Sequence, residues 1–392
     1  MNAPRGGAIK IFGEHDDETL AQLDDVASRA ERVALMADGH LGYIMPIGGV
    51  AAYRDRVPVS GVGFDIACGN AAIRTDLRVT SLPDLETVAD AIEASLAFGV
   101  GKSNEASDAP RDHPLFEDEA WAAVPRQHRS QLRARAREQL GTVGSGNHYV
   151  DVFADEREQV WVGVHFGSRG FGHTVASGFL ALSKGESWGS RVKQHEGMLE
   201  LDSGLGHDYW ELMTLAGEYA YAGREWAARK VVRVLGGQEE ELVHNHHNFA
   251  WREEHDGQEY VVVRKGATPA WPGQRSFVGS TMTEPSVILE GVEAPEGSDA
   301  RRLQREALYS TVHGAGRVMG RRHAKRTLAP ADVVERIREA GVVLRGGGLD
   351  EAPQAYKRLD EVLERQGPTV EVLEVLHPLI VCMAPDRSLR AG

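Results

Sequence analysis

The sequence predicts an α+β fold laid out as a single domain over residues 1–392. Helix-like and strand-like patterns are interspersed without regular βαβ alternation, which argues against a doubly wound parallel sheet. No internal repeat, low-complexity tract or linker divides the chain. Its 42% apolar residues are ample material for a buried core. The elements follow in chain order. A short apolar run reads as a strand at Ala72–Thr75, and periodic apolar positions give helices at Leu85–Phe98 and Phe116–Leu140. A strand is expected at Gln159–His165, a helix at Tyr209–Leu235, and strands at Glu259–Arg264 and Ser286–Leu289. Helices are expected at Ala300–Ser310, Pro330–Ala340 and Pro353–Arg365, and a last strand at Val370–Leu376.

Composition narrows the function classes. A net charge of −14 disfavours non-specific wrapping of nucleic acid, which depends on neutralising many phosphates. Local basic clusters remain: Arg317, Arg321, Arg322, Lys325 and Arg326 in one stretch, and Arg133, Arg135 and Arg137 on an expected helix. Met1 to Phe12 lack the apolar core of a secretion signal. The stretch Leu41–Tyr53 is broken by glycines and Pro46, so no membrane span is expected. Two cysteines make no disulfide framework, and a thiol kept for metal needs a reducing compartment, so a cytoplasmic location is expected.

One of those cysteines lies in Gly61-Val-Gly-Phe-Asp65-Ile-Ala-Cys68-Gly-Asn70. A carboxylate and a thiol so close together, flanked by glycines, can turn onto one small volume and serve a divalent transition metal. Histidines follow in Gly144-Ser-Gly-Asn147-His148, Val164-His165-Phe-Gly-Ser-Arg169-Gly170 and His244-Asn-His246-His247-Asn248. Singly, His165 reads as a satisfied core histidine and Cys68 as a small buried hydrophobe. Together, Asp, Cys and several His from separated segments read as a metal centre, mononuclear or dinuclear.

The candidate ligands belong to a longer series of motifs: Asp38-Gly-His40-Leu-Gly42, Gly63-Phe-Asp65-Ile-Ala-Cys68-Gly69, Gly146-Asn147-His148, His165-Phe-Gly-Ser-Arg169-Gly170 and His246-His247-Asn248. The series continues through Arg264-Lys-Gly266-Ala-Thr-Pro-Ala270, His313-Gly-Ala-Gly-Arg317 and Glu351-Ala-Pro-Gln-Ala-Tyr356-Lys357. In these motifs, their order and their spread over most of the chain, the sequence resembles the RtcB family of GTP- and manganese-dependent RNA ligases.

The resemblance implies mixed sheets flanked by helices around a central metal and nucleotide cleft. It implies that Cys68 bridges two Mn²⁺ ions, with Asp65 and His148 completing one ion's ligands and His165 and His247 the other's. It implies that His313 attacks the α-phosphate of GTP to form a histidine–GMP intermediate. Gly314, Ala315 and Gly316 then cradle phosphate or guanine, and Arg317 balances charge in the transition state. Asn147 and, at altered spacing, Ser280 and Ser286 contact the nucleotide, and Tyr356 lies against the guanine. The implied substrates are RNA 3′-phosphate (or 2′,3′-cyclic phosphate) and 5′-hydroxyl ends, in RNA repair or tRNA splicing, with an accessory activating or release-factor-like protein as a further partner.

Two departures from the family pattern stand out. Met383 occupies the place of a terminal lysine that holds the guanine nucleotide, and Asp151 that of a glutamate. With the shorter length they suggest a divergent paralogue. A metal-dependent cyclic phosphodiesterase that no longer seals and a non-catalytic binder of RNA ends are the alternatives.

Overall fold

The computed structural model describes residues 8–389. Most of Met1 to Phe12, the segment read above for a secretion signal, lies outside the described residues. Two sheets carry the architecture. The larger has eight strands, in the order Arg275–Val278, Ser286–Gly291, Val370–Pro385, Tyr149–Ala154, Gln159–Phe166, Gly69–Arg78 and Glu239–His246, with Val343–Gly347 pairing parallel to Val370–Pro385. The smaller has five, in the order Ala8–Ile11, Arg32–His40, Ile47–Tyr53, Gln258–Lys265 and Asn248–His255. Runs of consecutive strands, such as Glu239–His246 through Ser286–Gly291, alternate irregularly with helices along the chain, and the result is α+β.

The helix Gly204–Leu235 is the main support of the larger sheet. Tyr209, Leu212, Ala216, Tyr219, Gly223, Ala227 and Val231 recur every three or four residues on its buried face. It packs against Gly69–Arg78 and Gln159–Phe166. The Ser203 side chain caps its first turn, and Gly236 in the left-handed conformation ends it. Burying each large apolar side chain here stabilises the fold by about 1.5–3 kcal/mol. No helix among the described residues is long and apolar enough to cross a membrane.

Three expected helices are interrupted. Phe116–Leu140 resolves into 3₁₀ turns at Pro114–Glu117 and Glu119–Ala123, then a helix at Arg126–Gln139. Asp118 caps the second turn through Ala120 N–H, and Pro125 starts the helix where a missing N–H costs nothing. Ala300–Ser310 is a helix only as far as Asp299–Glu306. Leu308 and Tyr309 take positive φ, and Ser310 opens the strand Ser310–Val312. Pro353–Arg365 splits into a 3₁₀ turn at Pro353–Ala355 and a helix at Leu359–Gln366. Tyr356 and Arg358 between them are extended, and the segment is held by the Arg317–Tyr356 bridge and by Lys357 N–H donating to the Gly316 carbonyl.

The remaining expected elements are present with shifted ends. Val370–Leu376 extends to Pro385, passing Pro378 where the register shifts.

Candidate functional site

Strand register brings the metal-ligand candidates together. Gly69 pairs with Phe166 on one side and His246 on the other, and Asn70 pairs with His165. Cys68, His165 and His247 therefore emerge at the same end of the larger sheet. Tyr149 pairs with His165, which places His148 beside them. Backbone bonds tighten the corner: His247 N–H donates to the Cys68 carbonyl at 2.8 Å, and Ala67 N–H to the Asn248 carbonyl at 2.7 Å.

The potential ligand atoms of Cys68, His148 and His165 all lie within 4.8 Å of one another. Cys68 Sγ is 3.8 Å from His148 Nε2 and 3.7 Å from His165 Nε2. Asp65 Oδ2 is 3.0 Å from His148 Nε2. His247 lies outside that tight group. Its ring stacks on His165 with centroids 5.2 Å apart, and its buried Nδ1 has no hydrogen-bond partner.

The His165 tautomer suits a metal. His165 Nδ1 donates to Asn70 Oδ1 at 2.7 Å, while Asn147 Nδ2 approaches its Nε2 at 3.3 Å, so Nε2 carries the lone pair. His148 Nδ1 lies 3.1 Å from the Val143 carbonyl and 3.0 Å from Arg169 Nη1. His148 Nε2 faces the Asp65 carboxylate at 3.0 Å, so a proton there donates to Asp65 while Nδ1 accepts from Arg169, and a cation between Asp65 and Nε2 would take that proton's place.

Burial favours neutral forms throughout. It lowers His148, His165 and His247, keeping their rings available as ligands. It also pushes the Cys68 thiol well up, with the Asp65 charge adding to it. Asp65 resists its own burial because His148 and Arg169 hold it down to about 2. A soft sulfur, three buried imidazoles kept neutral, one carboxylate and an orphaned buried nitrogen fit Mn²⁺, Zn²⁺ or Co²⁺. His244 and His246 face elsewhere, held by the buried Arg224 at 2.9 and 2.8 Å.

A cleft of about 470 Å³ opens from this corner. It is lined by Asp65, Cys68, Asn147, His165, His247, Ser280, Ser286, His313, Gly314, Ala315, Gly316, Arg317 and Tyr356. Of the site residues expected from sequence, only His148 is missing from that wall; it lies buried behind Asp65. The His313 and His247 rings meet edge to face, with centroids 4.9 Å apart.

Asp38 organises His313. It is fully buried, and its Oδ2 accepts from His313 N–H at 3.0 Å, from Nδ1 at 2.5 Å and from Gly314 N–H at 3.3 Å. The proton is thus held on Nδ1, and Nε2 has no partner among the described residues. Gly316 packs directly on the Asp38 backbone at φ 75°, where a Cβ would collide with the Asp38 carbonyl. In the sequence Asp38 stands within a motif but carries no sign of this role.

Arg317 is fixed by the Glu351 carboxylate at 3.2 Å, the Tyr356 hydroxyl at 2.8 Å and the Asp350 carbonyl at 2.5 Å. Its guanidinium covers one face of the Tyr356 ring, 4.8 Å from the centroid. Ser286 Oγ accepts from Ser280 N–H at 3.0 Å, while the buried Ser280 Oγ has no partner. Arg321, which sequence reading noted only as part of a basic cluster, also lines the cleft. It pairs with Glu351 and donates to Asn147 Oδ1 at 3.3 Å. Met383 and Asp151 both lie in the wall, and the lining cations are Arg317 and Arg321.

The chain matches the family described as tRNA-splicing ligase RtcB over residues 19–384. It is similar to the RNA-splicing ligase RtcB of Escherichia coli K12, at 30% identity over 382 residues and 90% of each chain. It is also similar to the tRNA-splicing ligase RtcB of Archaeoglobus fulgidus, at 32% identity over 405 residues, covering 84% of this chain and 82% of that one.

Proposed function

The chain belongs to the RtcB family, and we propose that it joins RNA 3′-phosphate ends to 5′-hydroxyl ends through GMP carried on His313. One observation carries the reading. Asp38 holds the His313 proton on Nδ1 and leaves Nε2 free at the cleft, beside backbone N–H groups of a glycine-rich turn.

In the first step Nε2 bonds to the α-phosphorus of GTP and the bond to pyrophosphate breaks. The Asp38 carboxylate stabilises the positive charge that develops on the ring. Arg317, pre-oriented by Glu351 and Tyr356, balances phosphate charge without reorganising. The RNA 3′-phosphate then takes GMP from Nε2, forming a pyrophosphate linkage and freeing the imidazole. The 5′-hydroxyl oxygen attacks the RNA phosphorus as its proton passes to water, and GMP leaves with the electron pair. A 2′,3′-cyclic phosphate end must first be opened by water.

Asp65, Cys68, His148, His165 and His247 would hold two Mn²⁺ ions. When bound, these supply charge neutralisation and orientation for in-line phosphoryl transfer. Ser280 Oγ and Asn147 are the polar groups available to the nucleotide phosphates, and Tyr356 with Met383 to the base. RNA repair and tRNA splicing are both served by this chemistry.

The test is to mix the protein with α-labelled GTP and Mn²⁺ and follow covalent label. Wild type should be labelled and His313→Ala should not, with metal content near normal in both. A labelled His313→Ala protein would show that the nucleophile lies elsewhere. An unlabelled wild type that still opens cyclic phosphates would favour a phosphodiesterase.

A further inference from the structure

The loop joining Arg32–His40 to Ile47–Tyr53 carries an unusual backbone. Met45 N–H donates to the Tyr43 carbonyl at 2.7 Å across Ile44, whose φ is 63°. An i to i+2 hydrogen bond around a positive-φ residue is the rare, strained kind of γ-turn, and a β-branched centre makes it costlier. The surroundings hold the loop in this shape. Gln22 clamps Gly42 from both sides, accepting from its N–H at 3.0 Å and donating to its carbonyl at 2.9 Å. Lys265 donates to the Tyr43 carbonyl at 2.5 Å and to the Ser60 carbonyl at 3.0 Å.

The outcome of this bracing is one side chain held out in water. Tyr43 is 68% exposed, Leu41 beside it 48%, and Tyr43 stands at the wall of the cleft near His40 and Ile47. No described residue hydrogen-bonds its hydroxyl. A strained, doubly clamped turn that presents an aromatic ring to solvent buries nothing for the fold. Such strain persists where it serves a site.

Given the ligase reading above, we propose that Tyr43 is a stacking platform for a base of the RNA strand whose 3′-phosphate enters the cleft. A mononucleotide sits within the cleft, whereas a strand must leave it, and the rim is where the strand passes. The charge balance favours the same reading. With 58 acidic against 44 basic side chains, the chain as a whole does not attract phosphates. The two lining the cleft, Arg317 and Arg321, are already engaged with Glu351. An aromatic face adds affinity that needs no cation and reads no particular sequence.

The test uses a short single-stranded RNA with a 3′-phosphate and a 5′-fluorophore, with binding read by anisotropy. Tyr43→Ala should weaken binding by about tenfold, and Tyr43→Phe should restore it. The penalty should vanish on an RNA whose terminal residues are abasic, because there is then no base to stack. GMP-adduct formation without RNA, measured in parallel, should fall far less than RNA affinity does. Equal binding by wild type and Tyr43→Ala would overturn the inference alone. So would a penalty that persists on abasic RNA, or an equal loss of adduct formation, which would put Tyr43 against the nucleotide or in loop integrity. Wild-type protein that binds no 3′-phosphorylated RNA would overturn the ligase reading and this inference with it.

Discussion

Cys68 and Cys382 are both buried free thiols, and burial raises both above the usual thiol range. Their neighbours separate them. Cys68 faces two imidazole nitrogens and the Asp65 corner, whereas Cys382 packs among the apolar side chains around Val150, Val162 and Ile380. Cys68→Ala should therefore strip at least one metal ion, because the thiolate is the only sulfur ligand available there. Cys382→Ala should keep full metal content and cost about 1 kcal/mol for the small cavity it leaves. Elemental analysis of the two variants decides the matter, and equal metal in wild type and Cys68→Ala would remove the thiolate from the site. At this scale the sequence was legible where a residue's chemistry is carried by its neighbours, as in the Asp65–Cys68 segment. Asp38 was not legible in the same way. Its partner His313 is 275 positions away, and an aspartate in a glycine-rich turn reads equally well as a turn former.

The site exists because strand ends converge, and that convergence was only half legible. Gln159–Phe166 and Gly69–Arg78 announce themselves through apolar runs. Glu239–His246 begins with three glutamates and Tyr149–Ala154 is short, so neither shows a clean period of two. Pairing order between distant strands leaves no local trace at all. The same convergence makes one glycine decisive. A Cβ on Gly167, just after the ligand strand, would strike Asp65 Oδ1 and lie 2.9 Å from Cys68 N. The Asp65 side chain can swing away, but the Cys68 backbone cannot without opening the corner. Gly167→Ala should fold with near-normal secondary structure yet lose most of its metal and its GMP adduct. Circular dichroism with metal analysis checks this, and a variant with full metal content would show that the corner tolerates the methyl group.

Across the whole molecule, the class of fold and the set of clustered residues were legible because ordered motifs span the chain. What escaped was how the acidic molecule accommodates its own buried charges, since burial belongs to the assembled structure. Asp151 shows the consequence. It is 6% exposed, its Oδ1 has no hydrogen-bond partner, and the nearby Tyr149 hydroxyl has none either. Burial holds its carboxyl well above the usual carboxylate range, against a lowering contact from the Cys382 backbone. Above about pH 4 the unfolded chain ionises this carboxyl while the folded chain keeps its proton. The folded state then binds more protons, so this group's contribution to stability declines as pH rises toward its native pKa. Asparagine has nearly the same shape and does not titrate. In chelator-treated protein, where no bound cation competes for the carboxylate, Asp151→Asn should match wild type near pH 4. Its melting temperature should then exceed that of wild type by a margin that widens to roughly 1–3 °C at pH 8. Thermal unfolding of both proteins from pH 4 to pH 8 makes the comparison. A difference that stays flat across that range would mean that Asp151 is ionised in the native protein and that burial does not hold its proton.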